Sequence, residues 1–267
     1  RALHQAVTYR PDPHQVALAA DIIRNARNPL IITTNGGRTA AESDAIAGFA
    51  ERFAVPVSLR KPRYMAIPTD HPMHAGYDPD SLLADADAVI AIECDVPWIP
   101  AKAEPPETCK VIQIGTDPAF VSYPLRGLRC DVALAGPVSQ ALADLDNALI
   151  EDGSSPEERT RTRREAIAVR YAARRGKARA QLADSRRSKP IDPVWLSRCI
   201  DQIKGEEGII VRELPLVMSQ MEFRRAGCYF SPNWAAGLGS RLGVALGVRL
   251  LNPGPLAMRW VSAGSPM

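Results

Sequence analysis

The sequence predicts an α/β protein built on a parallel sheet, followed by the first half of a second, doubly wound α/β domain. Short continuous apolar runs, such as residues 30–34 and 88–93, are typical of strands buried on both faces of a parallel sheet. Amphipathic helical patterns separate these runs, and turns of small or polar residues follow them. Repeated β-loop-α-β units of this kind build parallel sheets with right-handed crossovers.

The first unit begins with a helix that Asp12 can cap, with Pro13 in its first turn and Pro29 at its end. The strand 30–34 follows, then the turn Asn35-Gly36-Gly37-Arg38. A capping box at residues 39–42 opens the next helix, and the strand "VPVSL" comes after it. The buried stripe predicted for this second helix consists of Ile46, Phe49, Ala50 and Phe53.

The same alternation continues to residue 150. A short helix in "SLLADAD" precedes the strand 88–93, and a further strand is predicted at residues 109–115. The helix in "GPVSQALADLDNALI" has its apolar residues on one face. We therefore predict one Rossmann-like domain over residues 1–150.

Residues 151–189 form an Arg-rich segment with few large apolar side chains, and we predict a helix at about residues 157–184. A basic helix face can bind nucleic acid, or it can be the solvated surface of a connector between domains. No aromatic or recognition pattern accompanies the arginines, so we favour the connector and predict no nucleic-acid partner.

Residues 190–267 open a second α/β region. A helix in "PIDPVWLSRCIDQI" precedes the strand 208–213, and a Gly-rich turn then leads into another helix. The last predicted strand is "AMRWV". The remaining strands of a doubly wound sheet are absent, so this region corresponds to the opening half of such a domain.

Composition excludes several classes of protein. The chain has 46% hydrophobic and 24% charged residues, a composition that is typical of globular proteins. A net charge of +3 does not by itself imply an acidic partner. The five cysteines lack disulfide or metal spacing, which predicts reduced thiols in a cytoplasmic protein. No apolar run reaches the roughly 18 residues of a membrane span, and no signal-peptide core is present.

Two strand ends in the first domain are candidate nucleotide sites. Gly36 and Gly37 allow a ligand to approach the backbone, and the helix behind Arg38 offers N–H groups to a phosphate. The alternative is a turn that needs positive φ. Asp117, after the strand 109–115, suits a ribose hydroxyl or a turn equally well.

Other candidates lie elsewhere in the chain. Glu213 follows a strand in the second region, and Gly237 and Gly239 precede a helix, where they can approach a diphosphate or serve helix packing. The pair His71 and His74 has a spacing that can chelate a metal on a helix, but Pro72 makes this a loop. We interpret the loop as structural.

These segments, in this order, resemble the thiamine diphosphate-dependent enzymes, specifically the acetolactate synthase-like branch. Residues from about 13 to 150 resemble the central domain of that family, with "DHPMHAGY" and "DVPWIP" as the most specific stretches. Residues from about 190 onward resemble its diphosphate-binding domain, through "GIIVRELPL", "GLGSRLGVALG" and "RWVSAGSPM".

The resemblance implies cleavage or formation of a C–C bond on a small 2-oxo acid, with thiamine diphosphate and Mg²⁺ as cofactors. It also implies a homo-oligomer, a dimer or a tetramer. In some members the central domain binds FAD or ADP. In this chain the turn 35–38 and Asp117 would be the residues that bind such a nucleotide. The thiamine diphosphate positions are Glu213, Gly237, Leu238 and Gly239, with Leu238 supporting the bent cofactor.

Departures from the family pattern predict a chain that does not catalyse by itself. Ala263 aligns with the Mg²⁺-binding Asp of the family, and the next ligand, an Asn, would align beyond Met267. Arg241 replaces a Gly. The catalytic glutamate of the family belongs to a pyrimidine domain that is not in this chain, so we assign no catalytic or metal residue here. The alternatives are an FAD- or adenine nucleotide-binding module and a fragment that interacts with other subunits.

Overall fold

Two parallel sheets organise the chain. The computed structural model describes residues 9–124, 127–150, 157–213, 215–231, 241–251, 254 and 257–260. Within these residues one sheet has six strands and the other has three. None of the described helices is long and apolar enough to cross a membrane.

The six-stranded sheet has the doubly wound strand order predicted for a Rossmann-like domain. Its strands are β1 (Pro29–Thr33), β2 (Val57–Leu59), β3 (His74–Gly76), β4 (Ala88–Ile92), β5 (Lys110–Gly115) and β6 (Val132–Ala135). All neighbours are parallel, in the order β3-β2-β1-β4-β5-β6. The order reverses between β1 and β4, which is where open α/β sheets place their ligand crevice.

Helices cover this sheet as the apolar patterns predict. The elements are α1 (Pro13–Asn25), α2 (Ala40–Phe53), α3 (Asp80–Leu83) and α4 (Val138–Ile150). Both predicted N-caps are confirmed, since Asp12 accepts from the N–H groups of His14 and Gln15, and Thr39 accepts from that of Glu42. Helices α1, α2 and α4 pack on one face of the sheet, while Trp98 and Leu83 belong to the cluster on the other.

The predicted connector helix, α5 (Glu157–Ser185), is confirmed, but one side of it packs against the rest of the chain. Arg163 donates to the carbonyl oxygens of Arg27 at 3.1 Å and Phe53 at 3.2 Å, and also to that of Ala26. Ile167 and Ala178 are buried. The helix therefore has a fixed place beside the sheet, which arginine content alone did not indicate.

The second region contains the predicted start of another α/β unit. It consists of α6 (Pro193–Lys204), β7 (Ile209–Arg212), a 3-10 turn (Met218–Gln220), β8 (Tyr229–Phe230), α7 (Arg241–Leu251) and β9 (Ala257–Trp260). The three strands are parallel, in the order β8-β7-β9.

The two regions share one core. Buried residues of the second region, including Ile210, Phe223 and Tyr229, belong to the same cluster as Ile31 of the first sheet. Thr69 and Phe223 are joined by reciprocal hydrogen bonds, because Thr69 N donates to Phe223 O at 2.8 Å and Phe223 N donates to Thr69 Oγ1 at 2.9 Å. These contacts fix the second sheet against the first.

Candidate functional site

Glu93 joins the carboxyl ends of three strands at the switch point of the first sheet. Its carbonyl oxygen accepts from Asn35 N at 3.1 Å. Its carboxylate Oε1 accepts from Thr116 N at 2.8 Å and from Thr116 Oγ1 at 3.1 Å. The structure thus brings the turns after β1 and β5 together through a residue that sequence analysis missed. Its position directly after a buried strand was the available signal.

The glycines of the turn after β1 allow close packing of the chain on itself. Gly37 has φ +79°, and a Cβ there would lie 2.4 Å from Ala66 Cα and 2.4 Å from Met65 O. A Cβ on Gly36 would lie 2.5 Å from Thr33 Oγ1. Both glycines are buried. Residues 65–66 pack closely against this turn. This agrees with the interpretation of residues 35–38 as a turn that needs positive φ.

A carboxylate, that of Glu42, lies beside the N–H groups that we expected to face a phosphate. The backbone N–H groups of Gly37 and Arg38 are near enough to the carboxylate of Glu42 to favour its charged form. Burial and the neighbouring Glu93 carboxylate raise the pKa of Glu42, against the opposing effect of Arg38. A phosphate of FAD or ADP would have to displace Glu42 and lie near two carboxylates. The turn as it stands does not fit such a group.

Asp117 stabilises its own turn. Its carboxylate accepts from Val121 N at 3.3 and 3.1 Å, and its carbonyl oxygen accepts from Phe120 N at 3.1 Å. This geometry favours the turn-forming interpretation over contact with a ribose.

The segment 60–64, directly after β2, links the carboxyl ends of the two sheets. Arg60 N and Arg63 N donate to Thr33 O at 2.9 Å and Thr34 O at 2.8 Å, while Ser231 N donates to Arg63 O at 3.1 Å. The Tyr64 and Phe230 rings meet edge to face at 6.0 Å. The carboxyl ends of β1 and β8 are therefore held at one side of the molecule.

A positive potential develops along this linking segment. Burial, together with the charges of Arg60, Lys102 and Arg212, lowers the pKa of Lys61. Glu213 follows Arg212 at the carboxyl end of β7 and is partly buried. Among the predicted thiamine diphosphate positions, Glu213 has a described place, and it lies on the ligand-binding edge of its sheet. Gly237, Leu238, Gly239 and Ala263 lie outside the described residues.

The predicted loop holds only the first of the two histidines, because His74 is the first residue of strand β3. His71 Nδ1 accepts from Met73 N at 3.1 Å, and His71 O accepts from His74 N at 3.0 Å. Within the described ranges, no group of three or more His, Cys, Asp or Glu side chains is arranged to hold a metal ion. His71 therefore stabilises the turn that leads into β3, whereas the prediction of a loop at His74 is wrong.

The sequence that forms the doubly wound sheet matches a known family model. Residues 16–145 match the family model described as "Thiamine pyrophosphate enzyme, central domain". Residues 16–145 are therefore similar in sequence to the central domains of the thiamine diphosphate-dependent enzymes.

One curated relative is similar to about half of this chain. A curated relative named "Probable acetolactate synthase large subunit", from Methanocaldococcus jannaschii, is 27% identical over 153 residues, which are 52% of this chain and 24% of the relative. The matched segment therefore spans about a quarter of that relative.

Solved structures extend the likeness of fold to nearly the whole chain. Benzoylformate decarboxylase from Polynucleobacter necessarius is 20% identical with a TM-score of 0.67, over 99% of this chain and 49% of that one. Thiamine diphosphate-dependent 4-hydroxybenzoylformate decarboxylase from Rhodococcus jostii RHA1 is 18% identical with a TM-score of 0.69, over 99% and 48%. This chain spans about half the length of both.

Proposed function

We propose that this chain forms the central and diphosphate-binding part of a thiamine diphosphate-dependent protein that acts on 2-oxo acids. The observation that carries the proposal is the central-domain match over residues 16–145, followed in the same chain by a second parallel sheet. The names of the relatives, an acetolactate synthase and two decarboxylases of benzoylformate type, support a 2-oxo acid as substrate. When bound, thiamine diphosphate supplies an electron sink for the carbanion that such chemistry requires.

The residues of this chain would hold the cofactor at the carboxyl end of β7. Glu213 lies at that edge, and the segment 60–64 adds the positive charge of Lys61 beside Arg212. A cationic surface suits a diphosphate, because opposite charges attract strongly where water is partly excluded. By sequence, Gly237 and Gly239 would add backbone N–H groups, and Leu238 would contact the body of the cofactor.

We further propose that Ala263 weakens binding of the cofactor through Mg²⁺. Mg²⁺ requires oxygen ligands in octahedral geometry, and a methyl group provides none. Without a carboxylate at this position, the diphosphate would depend on backbone dipoles and cationic side chains, each worth about 0.3–2 kcal/mol. The expected consequence is low catalytic competence.

Calorimetric titration with thiamine diphosphate, with and without Mg²⁺, tests the role of Ala263. We expect weak binding by the unmodified protein that Mg²⁺ hardly changes, and tighter, Mg²⁺-dependent binding by Ala263→Asp. Ala263→Asn is the matched control, since it offers an oxygen ligand without the charge. Micromolar, Mg²⁺-dependent binding by the unmodified protein would contradict this proposal.

Assays with the complete polypeptide of the gene test the wider proposal. Pyruvate and benzoylformate are supplied, and CO₂ release is measured with and without thiamine diphosphate. We expect release that depends on added cofactor and is larger for Ala263→Asp than for the unmodified protein. Cofactor-independent release, or none from either substrate by a variant that binds the cofactor, would count against a 2-oxo acid function.

Self-association belongs to the same proposal. Helix α7 exposes Leu246, Leu250 and Leu251, the last two with more than four-fifths of their surface accessible. Apolar side chains clustered on one helix favour burial against another copy or a partner. Light scattering is expected to report an oligomer that Leu250→Gln weakens, whereas a clean monomer at all concentrations contradicts the expectation.

A further inference from the structure

Two adjoining cavities lie between α5 and the loop that begins at β3. Their volumes are about 550 and about 380 Å³. Both are lined by His74, Gly76, Tyr77, Asp78 and Arg174, and we call them together the connector cleft. Neither Glu213 nor the turn 35–38 lines it. The cleft is therefore separate from the site proposed for thiamine diphosphate.

Two buried polar side chains beside the cleft have no hydrogen-bond partner among the residues that the structure describes. His74 is 3% exposed, and neither of its ring nitrogens finds a hydrogen-bond partner elsewhere in the described chain. The buried hydroxyl of Tyr77 also lacks a partner there. The two rings meet edge to face at 5.2 Å. Buried polar groups are nearly always hydrogen-bonded, so His74 and Tyr77 are polar side chains beside the cleft whose bonding capacity the described chain leaves unused.

A cation without a carboxylate partner lies beside them. Arg174 is partly buried and forms no ion pair with any residue that the structure describes. Its guanidinium lies 5.2 Å from the Tyr171 ring centroid, and its Nη1 would be 3.1 Å from a Cβ at Gly76. Burial lowers the pKa of Arg174, as expected for a charge held away from water. An anion in the cleft would compensate this charge.

Other charges around the cleft leave it cationic. Lys177 lines the larger cavity three residues after Arg174 on the same helix. Arg170, also in the lining, pairs with Asp85 at 3.3 Å, and Asp78 is exposed at the surface. Burial and the Arg174 charge lower the pKa of His74 to about 3, so that at neutral pH its ring offers one donor and one acceptor.

We propose that the connector cleft binds a small organic anion, with its carboxylate or phosphate on Arg174 and Lys177 and its planar body beside His74 and Tyr77. The larger cavity lies within the range of about 300–1,000 Å³ typical of small-molecule sites. Its apolar lining, including Leu82 and Ile167, suits a carbon skeleton. This inference is independent of the thiamine diphosphate proposal.

Calorimetric titration with four probes tests the proposal. Benzoate and phenyl phosphate share a phenyl body and differ in the anionic group, so they distinguish a carboxylate site from a phosphate site. Benzyl alcohol keeps the ring without the charge, and inorganic phosphate keeps the charge without the ring. We expect saturable binding of at least one aromatic anion, with an affinity roughly tenfold or more above those of the two controls. Equal affinities, or no binding of either aromatic anion, overturn the proposal.

Matched variants locate the binding. We expect Arg174→Gln to weaken the binding of the aromatic anion roughly tenfold. Arg161 is exposed on the same helix, so the Arg161→Gln variant should bind the anion as the unmodified protein does. His74→Phe keeps the ring contact and removes the two nitrogens. It should lose affinity while the midpoint of thermal unfolding stays the same or rises. Equal binding by the two arginine variants, or a less stable His74→Phe with unchanged affinity, contradicts the site. Saturating thiamine diphosphate should leave the probe affinity unchanged.

Discussion

Gly37 adopts a left-handed backbone conformation against a closely packed neighbouring segment. We expect Gly37→Ala to lower the free energy of unfolding by about 3 kcal/mol, because the new Cβ meets Ala66 and Met65 at 2.4 Å while φ stays at +79°. Urea denaturation measures the change.

Gly48→Ala is the matched control for this substitution. Gly48 is exposed within α2, and a Cβ there meets nothing within 4 Å. The free energy of unfolding should rise by about 0.5–1 kcal/mol, since alanine is the better helix residue. A Gly37→Ala protein as stable as Gly48→Ala would show that residues 65–66 do not pack on the turn.

Glu42 should make stability depend on pH in the direction opposite to that of a salt-bridged carboxylate. Burial and Glu93 raise its pKa in the folded state, so the folded state binds the proton more tightly than the unfolded chain does. The stability that Glu42 contributes is full below its unfolded pKa of about 4.3 and is lost as pH rises through the folded value.

Glu42→Gln tests this pH dependence. Glutamine keeps an acceptor oxygen for the N–H groups of Gly37 and Arg38 but does not ionise. Denaturation at a series of pH values from about 4 to 7 should show the unmodified protein losing stability relative to Glu42→Gln. Parallel curves would mean that Glu42 is no more buried in the folded chain than in the unfolded one.

Helix α5 is held in place by hydrogen bonds to the C-terminal ends of α1 and α2. Arg163 donates to carbonyl oxygens after α1 and at the end of α2, and Arg164 Nη2 donates to Glu51 O at 2.6 Å. Helix C-termini carry unsatisfied carbonyl groups and a partial negative charge, so a guanidinium there is favourable. The beginning of the connector helix is thereby tied to the central domain.

Removing the hydrogen bonds of the Arg163 guanidinium should loosen the attachment of α5 to the central domain. We expect Arg163→Gln to lower the free energy of unfolding by about 2 kcal/mol, because hydrogen bonds from a charged donor are lost at partly buried carbonyls. Arg161→Gln, which changes an exposed arginine of the same helix, should be nearly neutral. Hydrogen exchange over residues 160–170 would rise in the first variant alone. Equal exchange in both would indicate that Arg163 does not anchor α5.

The whole molecule depends on the contact between its two sheets. The Thr69 hydroxyl accepts from Phe223 N at 2.9 Å and donates to Phe223 O at 3.2 Å in the shared core. Thr69→Val keeps the shape and leaves a buried N–H without an acceptor. The expected loss is about 2 kcal/mol of unfolding free energy.

Thr69→Ser is the control because it keeps the hydroxyl. Since the sheets share one core, fluorescence and circular dichroism should report a single unfolding transition for the unmodified protein and for Thr69→Ser. Two separate transitions in the unmodified protein would contradict the shared core. A Thr69→Ser protein as unstable as Thr69→Val would assign the effect to the lost methyl group.

The sequence by itself determined most of the helices and four of the six strands of the first sheet, together with the family resemblance; it did not predict β3 or β6. Asp12 and Thr39 cap their helices through side-chain chemistry that acts over three residues, and the apolar run ending at Thr33 is buried because no polar residue interrupts it. Local patterns of this kind need no knowledge of the rest of the chain. The stretches that resemble the central domain likewise lie in continuous sequence.

Only the tertiary structure decided what these elements leave available for binding. The turn 35–38 has the residues of a phosphate site, yet the Glu42 carboxylate lies beside its N–H groups and residues 65–66 fill the space over Gly37. Conversely, His74 seemed an ordinary loop residue until α5 brought Arg174 beside it. The spacing of arginines along a helix does not predict which of them will be buried. That depends on the long-range packing of α5 against β3, because the burial of a charge is a property of the whole fold.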